Sequence, residues 1–264
     1  MDDIAAPPVI PRPAATILLL RDGPAGIEVF MAVRHQGSSF MPGILVFPGG
    51  AVDPDDAAPG LLESSGPLPD DAVSRVAGVR EVFEEAAFLL ARPKGSADLV
   101  GQDRFERFLE THRPGVCSGD VQFSAVMAQE GLVPAIDLMV PFARWITPVI
   151  RKKRFDARFY LARAPEGQVG AHDDRELINS RWTTVADALA AADRREIKLV
   201  FVTRSNLSLL AKSRTVDEAL AAARARTVVA VQPQLVDSPD GPMLRIPAEA
   251  GYDINEVLVR DVGD

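Results

Sequence analysis

Four residues within one six-residue stretch could do chemistry together: Arg80, Glu81, Glu84 and Glu85, in Arg80-Glu81-Val82-Phe83-Glu84-Glu85. At 3.6 residues per turn, positions 81, 84 and 85 are related by i, i+3 and i+4 steps, so three carboxylates share one patch of helix surface. Arg80 stands one turn before Glu84, a cation placed to hold them. Converging carboxylates suit a hard divalent ion such as Mg²⁺, which takes oxygen ligands and commonly bridges protein carboxylates to substrate phosphates. The same spacing also describes a solvated acidic face. Ala72, Val76, Val79, Phe83, Ala86 and Leu90 form an apolar stripe from which the glutamates point largely away. Like charges one turn apart cost only ~0.2–0.5 kcal/mol per pair, so energetics alone does not separate the two readings.

Upstream stands Phe47-Pro48-Gly49-Gly50. Adjacent glycines let backbone approach a ligand closely, and they also make plain tight turns. Read together, the two segments resemble the Nudix hydrolases, whose box runs G-x5-E-x7-R-E-U-x-E-E-x-G-U with U aliphatic. Gly50, Arg80, Glu81, Val82, Glu84, Glu85 and Phe88 match it or nearly so. Gly50 stands thirty positions before Arg80 where the pattern allows fourteen, so sixteen residues are inserted. The glutamate of the first half has Asp56, Glu63, Asp70 and Asp71 as candidates. The late glycine is Ala87, which predicts a helix continuing through Phe88-Leu89-Leu90, since that glycine normally serves the left-handed end of the helix. An inserted box resembles the branch that includes animal coenzyme A diphosphatases and many bacterial proteins. Further landmarks fit that branch: Arg34 through Ser39-Phe40-Met41-Pro42-Gly43, Trp145-Ile146-Thr147-Pro148, Arg154 to Tyr160, and Glu176 followed by Arg181-Trp182.

The resemblance implies an α/β (α+β) fold, an α/β/α sandwich with a mixed central sheet. It also implies Mg²⁺- or Mn²⁺-dependent hydrolysis of a diphosphate linkage in a nucleoside diphosphate joined to another group. Glu81, Glu84 and Glu85 would be ligands, with a carbonyl of the Gly49 turn. One glutamate would be the general base, a role a free carboxylate of pKa ~4.3 can fill at neutral pH. Arg80 would orient a glutamate. On the substrate side the resemblance points to Arg34, Gly50, Arg154 and Arg158, and Glu176 is an outlying candidate base. The run Arg151-Lys152-Lys153-Arg154 reads either as a grip on phosphate oxygens or as a solvated basic loop. A coenzyme A signature ending R-x3-G-x3-F-P-G-G fits from Gly43 to Gly50, but Ser39 occupies its arginine position. Coenzyme A derivatives, nucleotide sugars and dinucleotides all remain open. The alternative is a catalytically weak Nudix-like module that senses a nucleotide. A serine hydrolase is disfavoured, because neither a G-x-S-x-G elbow nor a P-loop is present.

The rest of the chain bounds this reading. A length of 264 residues with 47% hydrophobic content suits one large embellished domain. A net charge of −8 argues against a general nucleic-acid binder, which needs a basic surface, and leaves small phosphorylated substrates. Cys117 is the only cysteine, so a disulfide framework within the chain is excluded. His35, His112 and His172 show no ligand spacing. No apolar run is long enough to span a membrane, the N-terminus is acidic and the C-terminus lacks a peroxisomal address, so the expectation is a cytoplasmic protein.

Elements must position these residues. Residues 1–13 carry four prolines and read as an extended tail, 14–212 as the Nudix domain, and 213–264 as an extension packed on it. Strands are expected at Ala15–Leu20, Ile27–Val33, Leu45–Phe47, Phe142–Thr147 and Ala157–Ala162. The Asp53–Pro69 segment reads as a loop, with Asp70 or Asp71 capping the helix that follows. A helical insertion spans about 102–140, its helices bounded by Pro114 and Pro134. Further helices are expected at Val185–Ala192, Leu199–Lys212 and Val216–Ala225. Thr227–Val231 and Met243–Ile246 could pair as a hairpin around Asp240-Gly241.

Overall fold

A computed structural model describes residues 9–34, 44–62, 68–172 and 177–262. Ser39 to Gly43, Glu63 and Glu176 lie outside the described residues. The chain folds around an eight-stranded mixed sheet. Its main path runs β10 (Ala230–Val231), β7 (Val140–Ile146), β8 (Phe155–Arg163), β1 (Arg12–Gly23), β2 (Gly26–Arg34) and β3 (Leu45–Val46). The β1–β8 and β10–β7 pairs are parallel and the others antiparallel. Two more strands branch off: β4 (Gly49–Ala51) pairs with β1, and β9 (Leu177–Thr184) pairs with β2. β1 and β2 pair only near their hairpin, over Leu20–Gly23, so the sheet forks beyond it. β4 follows one arm and β3 with β9 the other.

Both faces of the sheet are covered, which is why Ile17-Leu18-Leu19-Leu20 in β1 is apolar on both sides. Ile17 and Leu19 enter one core with α1 (Ala72–Ala86), α2 (Gln102–Ser118) and α3 (Phe123–Gln129). Leu18 and Leu20 enter the other with α4 (Val185–Asp193), α5 (Phe201–Leu210), α6 (Val216–Ala225) and the C-terminal residues. α1 presses closely on β1: a Cβ added at Gly78 would sit 2.5 Å from Ile17 Cδ1 and 2.7 Å from Met139 Cε.

Several sequence expectations need correction. The acidic side of α1 is not a solvated face, because β4 and the helical insertion cover it; Glu81 and Glu85 are 9% and 4% exposed. The helix does not continue to Leu90. Ala87 itself takes the left-handed conformation at φ 54° and ψ 46°, and Phe88, Leu89 and Leu90 turn away into the core with no exposed surface. Phe88 packs edge-on against Phe30 and Trp182, a stabilising arrangement that offsets the strain at Ala87.

Asp71 stands at the N-terminus of α1 without capping it. Its carboxylate accepts instead from Arg75 Nε at 2.8 Å and the Tyr160 hydroxyl at 3.0 Å. Asp70 is exposed and makes no such cap either. Pro114 lies inside α2 and does not bound it, and Pro134 ends a short strand, β6 (Leu132–Pro134), paired with β5 (Ala91–Pro93). In the tail, β10 joins the central sheet beside β7, so it forms no hairpin with β12 (Met243–Arg245). β12 pairs with β11 (Gln234–Val236) and β13 (Glu256–Leu258). The Asp53–Pro69 segment, expected as a loop, contains two short 3₁₀ turns, Pro54–Ala57 and Pro59–Leu61.

Candidate functional site

The predicted carboxylates lie where the C-terminal half of α1 passes β4. Arg80 is the centre of the cluster and is 9% exposed. Its Nε donates to Asp56 Oδ1 at 2.8 Å and its Nη2 to Asp56 Oδ2 at 3.1 Å and to the Ala51 carbonyl at 3.0 Å. Its Nη1 donates to Glu81 Oε1 at 2.8 Å and Glu84 Oε1 at 3.1 Å. These bonds employ the whole five-donor fork of an arginine. Burial works against the charge of Arg80. The hydrogen bond to Asp56 and the fields of Glu81, Asp56 and Glu84 overcome it, so its pKa stands above the ordinary value.

Asp56 is fully buried. The turn that carries it is held by a reciprocal cap: Asp53 Oδ1 accepts from the Asp55 amide at 2.8 Å, and Asp56 Oδ2 from the Asp53 amide at 2.7 Å. Of the described acids left open for the first half of the box, Asp56, Asp70 and Asp71, Asp56 is the one in contact with Arg80. Asp71 is engaged with Arg75 and Tyr160. The sequence held a signal for this, since Asp56 follows Gly50 by the x5 spacing of the pattern and the insertion comes after it.

Gly49 and Gly50 are required by close approach. The Gly49 amide donates to Glu85 Oε2 at 2.7 Å, and a Cβ on Gly49 would come within 2.4 Å of the Ala15 carbonyl oxygen. A Cβ on Gly50 would lie 2.5 Å from Glu81 Oε1 and 2.7 Å from Oε2. Glu81 and Glu85 therefore both face the β4 backbone, whereas Glu84 is turned to Arg80. For a divalent cation the donor set fits in kind, being carboxylate and carbonyl oxygens only. Among the described residues no three His, Cys, Asp or Glu side chains are gathered into a ready-made metal cluster.

The substrate-side arginines separate. Arg158 on β8 is in register with Ala15 on β1, which is in register with Gly50 on β4, so the three form a row across the sheet. At ~4.8 Å per strand, Arg158 stands about 10 Å from Gly50 at the backbone. Its guanidinium makes no hydrogen bond or ion pair among the described residues. Asp156, two residues before it, is gripped by Arg144 at 2.8 and 2.6 Å. That hydrogen bonding lowers the Asp156 pKa against the opposing effect of burial, and the charges of Arg144 and Arg158 lower it further.

Arg154 is spent elsewhere. It is 6% exposed, and it donates to the carbonyls of Thr147 at 3.0 Å and Val9 at 2.6 Å, tying strand ends together. Arg34 ends β2 opposite Leu177, on the other arm of the fork.

Sequence reasoning passed over two links between the site and the helical insertion. Asp55 accepts from the amide of Ser124 at 2.9 Å and from its hydroxyl, at the start of α3. Arg113 of α2 donates from Nε at 3.0 Å and Nη2 at 2.8 Å to the carbonyl of Glu84. Neither residue belongs to a motif, so only the packing reveals them.

Comparison with known proteins identifies the family of the fold. The family model described as the NUDT19 Nudix domain matches residues 60–202, more than half of the chain. The acyl-coenzyme A diphosphatase NUDT19 of Xenopus laevis is 26% identical over 204 residues, covering 61% of this chain and 54% of that protein. Its Homo sapiens counterpart is 28% identical over 243 residues, covering 75% and 61%. The chain thus spans under two thirds of the length of these relatives. The crystal structure of a NUDIX hydrolase from Alicyclobacillus acidocaldarius superposes with a TM-score of 0.66 at 28% identity, covering 81% of this chain and 96% of that one.

Proposed function

Because the chain belongs to the Nudix hydrolases, in the family of the NUDT19 Nudix domain, we propose that it hydrolyses the diphosphate linkage of a nucleoside diphosphate joined to another group. Coenzyme A and its esters are the first substrates to test. The observation that carries this reading is the burial of Glu81 and Glu85 against the Gly49–Gly50 backbone, beside an Arg80 saturated by acids. Carboxylates without a task stay in water, since removing one costs several kcal/mol unless partners or a cation offset it.

Glu81, Glu84 and Glu85, with the Gly49 carbonyl, would hold Mg²⁺ or Mn²⁺. Bound there, the ion lowers the pKa of a water ligand and offsets charge on the bridging phosphates. The chain's own residues do the rest. Arg80 fixes the directions of Glu81 and Glu84. One of the three glutamates accepts the proton as the water oxygen forms the new bond to phosphorus. The bond to the bridging oxygen breaks, and its electron pair leaves on the departing phosphate. Arg158, in line with Gly50, offsets charge on the phosphates. No helix among the described residues is long and apolar enough to cross a membrane, and action in the cytoplasm on a small phosphorylated molecule, without nucleic acid, completes the proposal.

The test incubates wild type, Glu84→Gln and Glu85→Gln with Mg²⁺ and a panel of coenzyme A species, nucleotide sugars and dinucleotides, with products identified by mass. Wild type should split one class at its diphosphate, and both variants should lose roughly 10²-fold or more in kcat. Equal turnover in the variants would remove these glutamates from the reaction. Nucleotide binding by wild type without turnover would make the chain a sensor.

A further inference from the structure

We propose that Arg113 is a positioning residue for the carboxylate end of α1, acting through the peptide that joins Glu84 to Glu85; this rests on the hydrolase reading above. In an uninterrupted helix the Glu84 carbonyl would accept from the amide of residue 88. Here Ala87 turns left-handed, and the amides of Ala87 and Phe88 both go to the Val82 carbonyl. The Glu84 carbonyl loses its helical partner at the point where two of the three glutamates sit.

Arg113 fills that place. Two nitrogens of its fork reach the Glu84 oxygen at 3.0 and 2.8 Å, and Cys117, one turn further along α2, donates to the same oxygen at 3.4 Å. A cation at a helix C-terminus is favoured electrostatically as well. Arg113 Nη2 also reaches the Ala171 carbonyl at 3.1 Å, while the Ala171 amide answers the Ala86 carbonyl at 3.0 Å. Nearby, Gln168 pairs with both backbone groups of Leu89, at 2.8 and 3.3 Å. A segment between β8 and β9 is thereby strapped across the helix end, with Arg113 as the fork that grips strap and helix together. Fixing the Glu84–Glu85 peptide fixes the Cα–Cβ directions from which both carboxylates extend.

Arg113→Ala and Arg113→Lys test the role, with Mn²⁺ affinity read by electron paramagnetic resonance and kcat and KM read on the substrate identified for wild type. Arg113→Ala should weaken Mn²⁺ binding about tenfold, as loss of outer-shell support for metal ligands commonly does. It should also lower kcat with KM little changed. Arg113→Lys should recover part of both, because an ammonium can meet one carbonyl but lacks the fork for two. A merely structural role would lower the melting temperature and the active fraction while leaving the Mn²⁺ affinity of the folded protein unaltered. A folded Arg113→Ala that binds Mn²⁺ and turns over like wild type overturns the proposal and leaves the hydrolase reading standing. If Arg113→Ala does not fold, Arg113→Lys is judged by the same criteria. A wild type that neither binds Mn²⁺ nor turns over any substrate overturns both.

Discussion

Arg80 binds three acids and a carbonyl in a nearly dry setting, so the partners it leaves behind matter more than the bonds themselves. Asp56→Ala should destabilise the fold by about 3 kcal/mol, because removing one member of a buried ion pair strands the other. Asp70→Ala, at an exposed position, should stay within about 0.5 kcal/mol. Urea unfolding of the two variants checks both values, and equal effects would deny Asp56 its place beside Arg80. The grouping of Glu81, Glu84 and Glu85 was legible in the sequence because helical period alone puts them on one patch. The burial of Glu81 and Glu85 was not, since it depends on β4, whose approach to the helix is a tertiary contact. The engagement of Arg154 was not legible for a related reason: a basic run advertises charge, not which member will fold back onto Val9 and Thr147.

Among the elements, α1 shows how a local rule can be kept while its usual residue is replaced. A glycine was expected where the helix stops, and its absence predicted a longer helix; the helix stops anyway, on Ala87. Tertiary burial of Phe88, Leu89 and Leu90 outweighs the left-handed penalty, which is roughly 1–2 kcal/mol for a residue with a Cβ. Ala87→Gly should therefore be close to neutral, since relief of strain is offset by loss of a buried methyl worth about 0.8 kcal/mol. Ala87→Val should cost about 1–3 kcal/mol, because a β-branched side chain fits that backbone worst. Thermal unfolding distinguishes these outcomes; a stabilising valine would mean that the helix end can be rewound. Pro114 teaches the converse. A proline predicts a boundary from local geometry, yet α2 continues through it to Ser118.

At the scale of the molecule, two cores share one sheet, and the C-terminal residues complete the second of them. Val231, Leu244, Ile246, Ala250, Tyr252 and Val262 are all buried there. Tyr252 donates to Asn206 Oδ1 and accepts from Trp145 Nε1, each at 2.9 Å. Burying each large apolar side chain is worth ~1.5–3 kcal/mol, so a chain ending at residue 226 should lose cooperative unfolding by circular dichroism. A cooperative melt from that shortened chain would mark residues 227–264 as dispensable for folding. The strand character of this tail was legible, but its pairing was not. β10 finds β7 across some eighty residues, a choice made by the edge available in the folded sheet.

The cluster at α1 sets three carboxylates, Asp56, Glu81 and Glu84, around a single guanidinium, with the buried Glu85 beside them on the Gly49 amide. Such an excess of one sign inside a fold acts as a gauge of the surrounding salt. Any divalent ion held only by the folded chain adds RT ln(1 + [L]/Kd), about 2.7 kcal/mol at a hundredfold excess over Kd. The melting temperature should therefore climb with the logarithm of free Mg²⁺ or Mn²⁺ and fall on chelation, with no substrate present. A flat response would mean that Arg80 alone balances the acids. A rising one would make the endurance of this protein a property of its ionic surroundings as much as of its sequence.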